Sequence, residues 1–573
     1  MAEHASRLVD RLTAGRLSRR TLLRSGALAG AGASALGLLA ACGGSSSSTT
    51  PGSSSGGATQ ASGGSSSTAA PTQASGSPAS GTQAAGGGKP KFDKVVIAES
   101  ADIRFFDPTL RPTSTDATIL VNIYDNLTQL NDKFELVPGL STKWELGAND
   151  QQTWTFTLRQ GVKFHNDEPF NADTITAWYD RLVNIPTLVK DQPSSIQQIA
   201  SVDKVSKVDD FTVSFHTKYT DPVLPRNLAT YFLQVPSKTV FEQGGPNALA
   251  EKGVGTGPYK FVEWVKASHV SLEANNDYWG GKPAIQKLEF RTIPEPSARS
   301  AALLNGEVEI ADAIPIASLK QIASSANAEV RTVPLAAWIF WVQLNARDIK
   351  ELQDVKVRQA MNYAVDKQAI IDSVLAGNAI NSASIVTKEC FGYKDVPLYE
   401  YDPDKAKQLL KEAGYENGFS VKFYYSPGHY VGDTEAVQAI ANYLGKVGIK
   451  CDFVQNEWAN QLSLITNQKI DGIVYGGKTI LSIDADYMFA ELQPKKNFGW
   501  MYPLQGKAEE LYNQERQEMD PAKRADLCGQ ISQLYRDEAG ILFLWEPKGL
   551  FGVAKGLVWS PPGDGYIRAF TMS

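Results

Sequence analysis

Apolar positions alternate or recur at helical steps from about residue 93 to about residue 560. Residues 153–164, TWTFTLRQGVKF, alternate in the manner of a half-buried strand that ends in a turn. Asn171 precedes ADTITAWYDRL as the N-cap of a predicted helix. Residues 354–375 and 402–415 are each predicted to be helical, the second between an Asp-Pro start and a glycine end. This mixture predicts α/β or α+β domains.

A weak apolar run near the start, residues 27–41, is shorter than the roughly 20 strongly apolar residues that span a bilayer. Arg19 and Arg20 precede it in a segment that resembles a twin-arginine export signal, and LAAC, ending at Cys42, resembles a lipobox. The resemblance implies an export signal over residues 1–41 and lipid attachment to the Cys42 thiol. The alternatives are the general export route, or a frayed N-terminus with a chance cysteine.

The segment after the lipobox supports this interpretation. Residues 43–88 are almost entirely Gly, Ser, Ala, Thr, Pro and Gln, without an aromatic or charged residue. Such a segment buries too little apolar surface to offset its ordering entropy, so residues 42–89 are predicted to be a disordered tether. An O-glycosylated stalk is the alternative.

Charge and cysteine content narrow the possible partners. The chain has 573 residues and a formal net charge of −6, and removal of the predicted export signal, with six arginines and two acids, makes it −10. This balance argues against a nucleic-acid partner. Cys390, Cys451 and Cys528 follow the linker and allow one disulfide at most. The five histidines show no metal-ligand spacing, so neither a metal nor a cofactor is expected.

The sequence gives little support for an enzymatic function. From residue 89 onward the chain contains neither a G-x-S-x-G nucleophile motif nor an H-E-x-x-H zinc motif. HNDEPFNAD, residues 165–173, groups a histidine with carboxylates and could be mistaken for acid/base machinery. We therefore expect that the protein is not an enzyme.

Five segments carry a family resemblance. They are WTFTLRQGVKFHNDEPFNADTITAWYDRL, GTGPYKFVEW, NNDYWGGKPAIQKLEF, VRQAMNYAVDKQAII and YDPDKAKQLLKEAGY. Together, and in this order, they resemble the extracytoplasmic solute-binding proteins of peptide and nickel ABC transporters. The resemblance implies a mixed α/β fold of two lobes that enclose a solute when a hinge closes, and docking on a membrane permease whose ATPase subunits supply the energy.

The same resemblance implies a division of the chain into domains. Lobe I is expected to be discontinuous, over residues 90–125, 251–336 and 546–573. An extra domain is expected over residues 126–250, inserted in the N-terminal lobe, and lobe II over residues 337–545. The protein is expected to be a monomer.

The sequence departs from the peptide-binding pattern at one place. Many relatives have a W-x-A-D-Y-x-D-P segment whose first aspartate pairs with the α-ammonium of the peptide. Here the matching segment is GGKTILSIDADYMF, in which Asp484 best matches the later acid and Ala485 the proline. The ammonium-pairing position then falls near Ile480 or Leu481. A shifted alignment would give that role to Asp486.

The remaining candidates for ligand binding are aromatic or small residues. Flat apolar rings with one N–H suit peptide side chains and sugar rings equally. The tryptophans could instead pack in the core or hinge, and the loop hydroxyls could be simple turn residues. The candidates are Trp458, Trp341, Trp338, Trp545, Thr113, Ser114 and Gly477, together with Asp486 if the alignment shifts.

The sequence therefore predicts a lipid-anchored, extracytoplasmic receptor of a bacterial importer, most favourably for peptides. An oligosaccharide receptor of the same family is the first alternative, and a binder of nickel or another chelate the second. A surface lipoprotein without a transport role, or an enzyme, would belong to a different class.

Overall fold

A computed structural model describes most of the chain beyond its N-terminal region. The described residues are 92–110, 113–184, 193–245, 247–496 and 498–573. They lie in one compact unit, Gly86–Ser573. Cys42, Arg19, Arg20 and the predicted export signal and linker lie outside the described residues. In the described part, no helix is long and apolar enough to cross a membrane.

The strands of the described part follow in chain order. They are β1 (Lys94–Glu99), β2 (Thr128–Leu130), β3 (Leu136–Pro138), β4 (Ser141–Leu146), β5 (Thr153–Leu158), β6 (Val202–Asp209), β7 (Thr212–Thr217), β8 (Tyr259–Val265), β9 (His269–Ala274), β10 (Lys287–Thr292), β11 (Ile310–Ala311), β12 (Ala328–Pro334), β13 (Trp338–Leu344), β14 (Ala379–Asn381), β15 (Phe419–Tyr425), β16 (Ile449–Gln455), β17 (Ile473–Thr479) and β18 (Ile541–Ala554).

The helices of the described part are interspersed with these strands. They are α1 (Ser114–Ile123), α2 (Ala172–Asn184), α3 (Pro193–Gln198), α4 (Leu224–Asn227), α5 (Lys238–Gln243), α6 (Pro296–Leu304), α7 (Leu319–Ala323), α8 (Lys350–Gln353), α9 (Val355–Ala364), α10 (Lys367–Ser373), α11 (Pro403–Glu412), α12 (Asp433–Lys446), α13 (Trp458–Thr466), α14 (Ala485–Glu491), α15 (Lys507–Glu515) and α16 (Pro521–Asp537).

One long strand, β18, belongs to two groups of strands. Its residues 541–545 pair with β13, and its residues 548–554 pair with β12. The order of the sheet is β16-β15-β17-β13-β18-β11-β1-β10-β9-β8, with β12 and β14 also paired to β18. β1 and β8 to β12 form lobe I, and β13 to β17 form lobe II. β18 therefore connects the two lobes.

Lobe II buries both faces of its central strands. Val342 and Leu542 pack into one core and Trp341 and Phe543 into another. Because neighbouring residues of a strand point to opposite faces, both faces must be covered by helices. This requirement explains the continuous apolar run ILFLW at the start of β18.

A smaller domain sits between α1 and β8 in the chain. Its antiparallel sheet has the order β4-β5-β7-β6. Ile175 and Trp178 of α2 are fully buried in a core that runs from Leu127 to Val235. We call this the inserted domain.

Local signals in the sequence explain where several elements begin. The Asn171 side chain accepts a hydrogen bond from the Asp173 amide at 3.0 Å, which confirms the predicted start of α2. The predicted helix over residues 354–375 is wrong as a single element, because it is two helices, α9 and α10. The Asp366 side chain caps the second by accepting a hydrogen bond from the Ala369 amide at 2.9 Å.

Candidate ligand-binding cleft

Two adjoining cavities lie in the cleft, the first between lobe I and lobe II and the second where both lobes meet the inserted domain. The first has a volume of about 300 Å³ and is lined by residues of both lobes. We call it the aromatic chamber, after the lining side chains Trp338, Phe340, Tyr430, Tyr475, Trp545 and Phe551.

Tyr430 is the centre of the aromatic cluster. Its ring makes edge-on contacts with Phe340, at a centroid distance of 4.7 Å, and with Trp338 and Tyr475, each at 6.3 Å. Edge-on packing fixes the rings in one arrangement, so the chamber has a preformed apolar wall.

Trp458 packs against two rings of this wall, edge-on against Tyr430 at a centroid distance of 5.9 Å and face to face against His429. It stacks on His429, with ring centroids 4.1 Å apart and an angle of 12° between the planes. His429 lines the aromatic chamber, and burial lowers the pKa of its imidazole. Trp458 itself is half-buried at the start of α13 and supports the wall from behind.

The other candidate tryptophans lie in two different places. Trp338 and Trp545 line the aromatic chamber. Trp341 does not, because it points to the opposite face of β13, is only 2 % exposed and packs against Phe498 in the lobe II core.

The two loop hydroxyls also differ. Ser114 lines the aromatic chamber. Thr113 is the N-cap of α1, and its hydroxyl hydrogen-bonds the Asp116 carboxylate at 2.7 Å. Thr113 thereby fixes the helix that presents Ser114.

Gly477 lies on β17 opposite Phe340 of β13. A Cβ atom at Gly477 would lie 2.9 Å from the Phe340 ring. The glycine therefore leaves room for an aromatic side chain of the chamber wall.

Residues 472–479, GIVYGGKT, fit the G-x-x-x-x-G-K-[ST] pattern of phosphate-binding loops. That pattern binds phosphate when it forms a loop between a strand and a helix. Here residues 473–479 are the extended strand β17, paired with β13, and the Lys478 ammonium lies 2.8 Å from Glu491. The segment lacks the geometry of a nucleotide site.

A second cavity, of about 250 Å³, adjoins the first and shares Asp564 and Tyr566 with it. We call it the polar chamber. Its side chains relevant here are Asp125, Asp132, Gln234, Asp564 and Arg568 on one wall and Ile480, Leu481 and Ile483 on the other.

The aspartates after β17 are turned away from both chambers. Asp484 is 1 % exposed and forms an ion pair with Arg524 through both carboxylate oxygens. Asp486 is also buried, and its carboxylate lies 3.0 Å from Arg516 Nε. Neither lines a chamber, whereas Ile480 and Leu481 line the polar one.

An acidic pair that the sequence reasoning missed lies beside the aromatic chamber. Glu99 is the last residue of β1, Asp312 follows the parallel partner strand β11, and Asp312 lines the chamber. Burial raises the pKa of Asp312 to about 6, and burial together with the neighbouring Asp312 raises that of Glu99. Nearby Arg299 donates hydrogen bonds to the backbone carbonyls of Ile293, Pro294, Asp312 and Ala313. No sequence motif marks this pair, since its members are 213 positions apart.

Metal and thiol chemistry add nothing to the cleft. In the described ranges, no group of three or more His, Cys, Asp or Glu side chains has the arrangement to hold a metal ion. Cys390, Cys451 and Cys528 are free thiols, and burial raises the pKa of each.

Comparison with known proteins places this geometry in a family. Residues 135–500 match the model of bacterial extracellular solute-binding proteins, family 5 middle. The chain is 32 % identical over 474 residues to the dipeptide-binding protein of Escherichia coli, covering 77 % of this chain and 86 % of the relative. It is 30 % identical over 357 residues to a glutathione-binding protein of Pectobacterium atrosepticum, covering 62 % of this chain and 68 % of that protein.

A solved structure agrees with the fold. The periplasmic binding protein DppA from Helicobacter pylori, in complex with the peptide STSA, superposes with a TM-score of 0.73 at 25 % identity, covering 84 % of this chain and 97 % of that one. The mixed α/β, two-lobed fold predicted from the sequence is confirmed by this likeness. The chain belongs to the bacterial extracellular solute-binding proteins of family 5.

Proposed function

We propose that the protein captures a peptide between its two lobes and delivers it to the permease of an ABC importer. The observation that carries the proposal is the aromatic chamber, whose wall is contributed by both lobes around the connecting strand β18. A solute held there contacts both lobes at once, so its binding favours their closure. Relatives named for dipeptide, glutathione and peptide binding support a peptide as the solute.

Transport without catalysis is part of the proposal. The relatives are named as binding proteins, and β17 lacks the geometry of a nucleotide site, so the energy comes from the ATPase subunits of the partner. The protein works as a monomer that alternates between an open and a closed form. Lobe I comprises residues 90–125, 251–336 and 546–573, the inserted domain residues 126–250, and lobe II residues 337–545.

The proposed location is the outer face of the cytoplasmic membrane or the periplasmic space. Arg19 and Arg20 direct export, a lipid on Cys42 anchors the chain, and residues 42–89 form a tether of roughly 35–40 Å root-mean-square length. The tether lets the binding unit reach a permease in the same membrane.

Mass spectrometry of the solute that co-purifies with the mature protein tests the proposal. We expect short peptides, and we expect the recovered peptides to compact the protein in small-angle scattering. They should also raise its melting temperature, with about 2.7 kcal/mol of stabilisation at a hundredfold excess over Kd. Recovery of oligosaccharides, whose rings also fit aromatic walls, or of a metal chelate, would replace the peptide by that solute.

A further inference from the structure

The polar chamber carries more negative than positive charge. Asp125, Asp132 and Asp564 line it, and Arg568 is its single cationic lining residue among those described. The Arg568 guanidinium lies 2.7 Å from the Asp564 carboxylate, so these two charges offset each other. Asp132 also interacts with Arg568, but three acidic side chains around one guanidinium leave the chamber with a net negative charge.

Asp125 is held by neutral groups. It is 4 % exposed and accepts hydrogen bonds from Trp279 Nε1 at 2.8 Å, from Thr256 Oγ1 at 2.9 Å and from Tyr278 Oη at 3.0 Å. Among the described residues, no cation forms an ion pair with it. Burial raises the pKa of Asp125, and Arg159, which stacks on the Trp279 ring at 4.2 Å, lowers it only in part. A buried charge of this kind favours a cation in the adjoining space.

Gln234 provides an independent sign of a ligand. It is 1 % exposed and lines the polar chamber. One end of its amide donates to the Tyr124 carbonyl at 3.3 Å, while the other end, Oε1, has no partner among the described residues. Buried amide oxygens are normally hydrogen-bonded, so Gln234 is a lining residue that keeps one unused acceptor.

The opposite wall offers no competing charge. Ile480, Leu481 and Ile483 of lobe II are apolar, and the aspartates that follow them are engaged by arginines elsewhere. Among the described residues, the acidic side chains that line the chamber therefore belong to lobe I and the inserted domain.

We infer that the polar chamber binds a protonated primary amine of the solute, with Gln234 Oε1 accepting an N–H and Asp125 and Asp132 supplying the negative field. The inference rests on the proposed function in one respect: the α-ammonium of a peptide is such a group. An apolar side chain of the same solute then occupies the aromatic chamber. The amine is recognised from the lobe I side, in place of a lobe II carboxylate.

Calorimetry with four probes tests the inference. They are the tripeptide Ala-Ala-Phe, its N-acetylated form, and the non-peptide pair 4-phenylbutylamine and 4-phenylbutyrate. We expect each amine to bind at least roughly tenfold more tightly than its N-acetylated or carboxylate counterpart, as a lost charge-assisted hydrogen bond implies. N-acetyl-Lys-Ala-Phe is a further probe: if it binds as tightly as Ala-Ala-Phe, the amine can come from a side chain as well as from the N-terminus.

Variants assign the effect to the chamber. Gln234→Leu should weaken both amines roughly tenfold. Asp132→Lys, at an exposed position, should weaken binding of the amines roughly two- to fivefold. It should not weaken binding of 4-phenylbutyrate. Asp404→Lys, on the surface of lobe II, is the matched control and should change neither. Melting temperatures of all variants check that they are folded.

The outcomes separate this inference from the proposed function. If Ala-Ala-Phe and its acetylated form bind equally, or if Asp132→Lys weakens amine and carboxylate alike, the inference is wrong and peptide capture stands. If both tripeptides fail while 4-phenylbutylamine shows the expected pattern, peptide capture is wrong and the amine site stands. If no amine binds at millimolar concentration, both are contradicted.

Discussion

Arg226 of the inserted domain donates a hydrogen bond from Nε to the Ser482 carbonyl of lobe II, at 2.9 Å. Its Nη2 donates to the neighbouring Ile483 carbonyl at 3.0 Å. Both carbonyls belong to the loop after β17, whose residues line the polar chamber. One guanidinium therefore joins the inserted domain to a wall of the cleft.

Arg226→Met should speed release of the solute. Loss of the hydrogen bonds from a charged donor frees the loop in the closed form, and we expect the dissociation rate to rise roughly tenfold. Stopped-flow tryptophan fluorescence with the co-purified solute measures it. Arg347→Met is the matched control, because the Arg347 contacts with Asp348 and Gln468 stay within lobe II. Equal rates for wild type and Arg226→Met would show that the contact does not hold the closed form.

Trp458→Ala should weaken solute binding by about 2 kcal/mol or more, in the range of a hot-spot residue. The tryptophan holds His429 against the chamber by stacking, so its removal frees part of the chamber wall. Calorimetry measures the change. Trp341→Ala, which opens a cavity in the core, is the contrasting variant and should cost about 3–5 kcal/mol of unfolding free energy. A loss of stability without a loss of affinity in Trp458→Ala would assign Trp458 to packing alone.

Asp486→Asn should leave affinity within about 1 kcal/mol of wild type while lowering the free energy of unfolding by roughly 1–3 kcal/mol, because the half-buried Arg516 loses its charged partner. Urea denaturation and calorimetry together test both statements. A severe loss of affinity with normal stability would place the Asp486 carboxylate at the ligand and restore the shifted alignment.

Asp312→Asn should make the protein more stable at pH 8 and leave it almost unchanged at pH 4. The folded pKa of about 6 lies above the ordinary value of 3.8, so the carboxylate opposes folding increasingly as pH rises from about 4 to about 6. The asparagine carries no charge, and we expect a gain on the order of 1 kcal/mol at pH 8. Denaturation at several pH values measures it, and a gain that does not depend on pH would contradict the titration of Asp312.

Cys42→Ser should release the exported protein from the membrane fraction, because the thiol is the proposed site of lipid attachment. Fractionation followed by immunoblotting shows the distribution. Replacement of both Arg19 and Arg20 by lysine should block export by the twin-arginine route. If the serine variant stays bound to the membrane as tightly as wild type, the lipobox interpretation is wrong.

The sequence could predict features that depend on neighbours in the chain. The cap at Asn171, the apolar run of β18 and the family resemblance are of this kind. The pair of Glu99 and Asp312 is not, since strand pairing brings two distant positions together. Trp341 and Trp338 look alike in sequence, yet the odd separation of three positions turns them to different faces of β13.

The shared strand β18 gives the cleft a mechanical property. Trp545 pairs with Phe340 of lobe II, and three positions later Lys548 pairs with Pro334, just before the chain leaves β12 for lobe II. Any rotation of one lobe against the other must be absorbed as twist over these few residues. Because Trp545 also lines the aromatic chamber, a solute bound there would contact the strand that joins the two lobes.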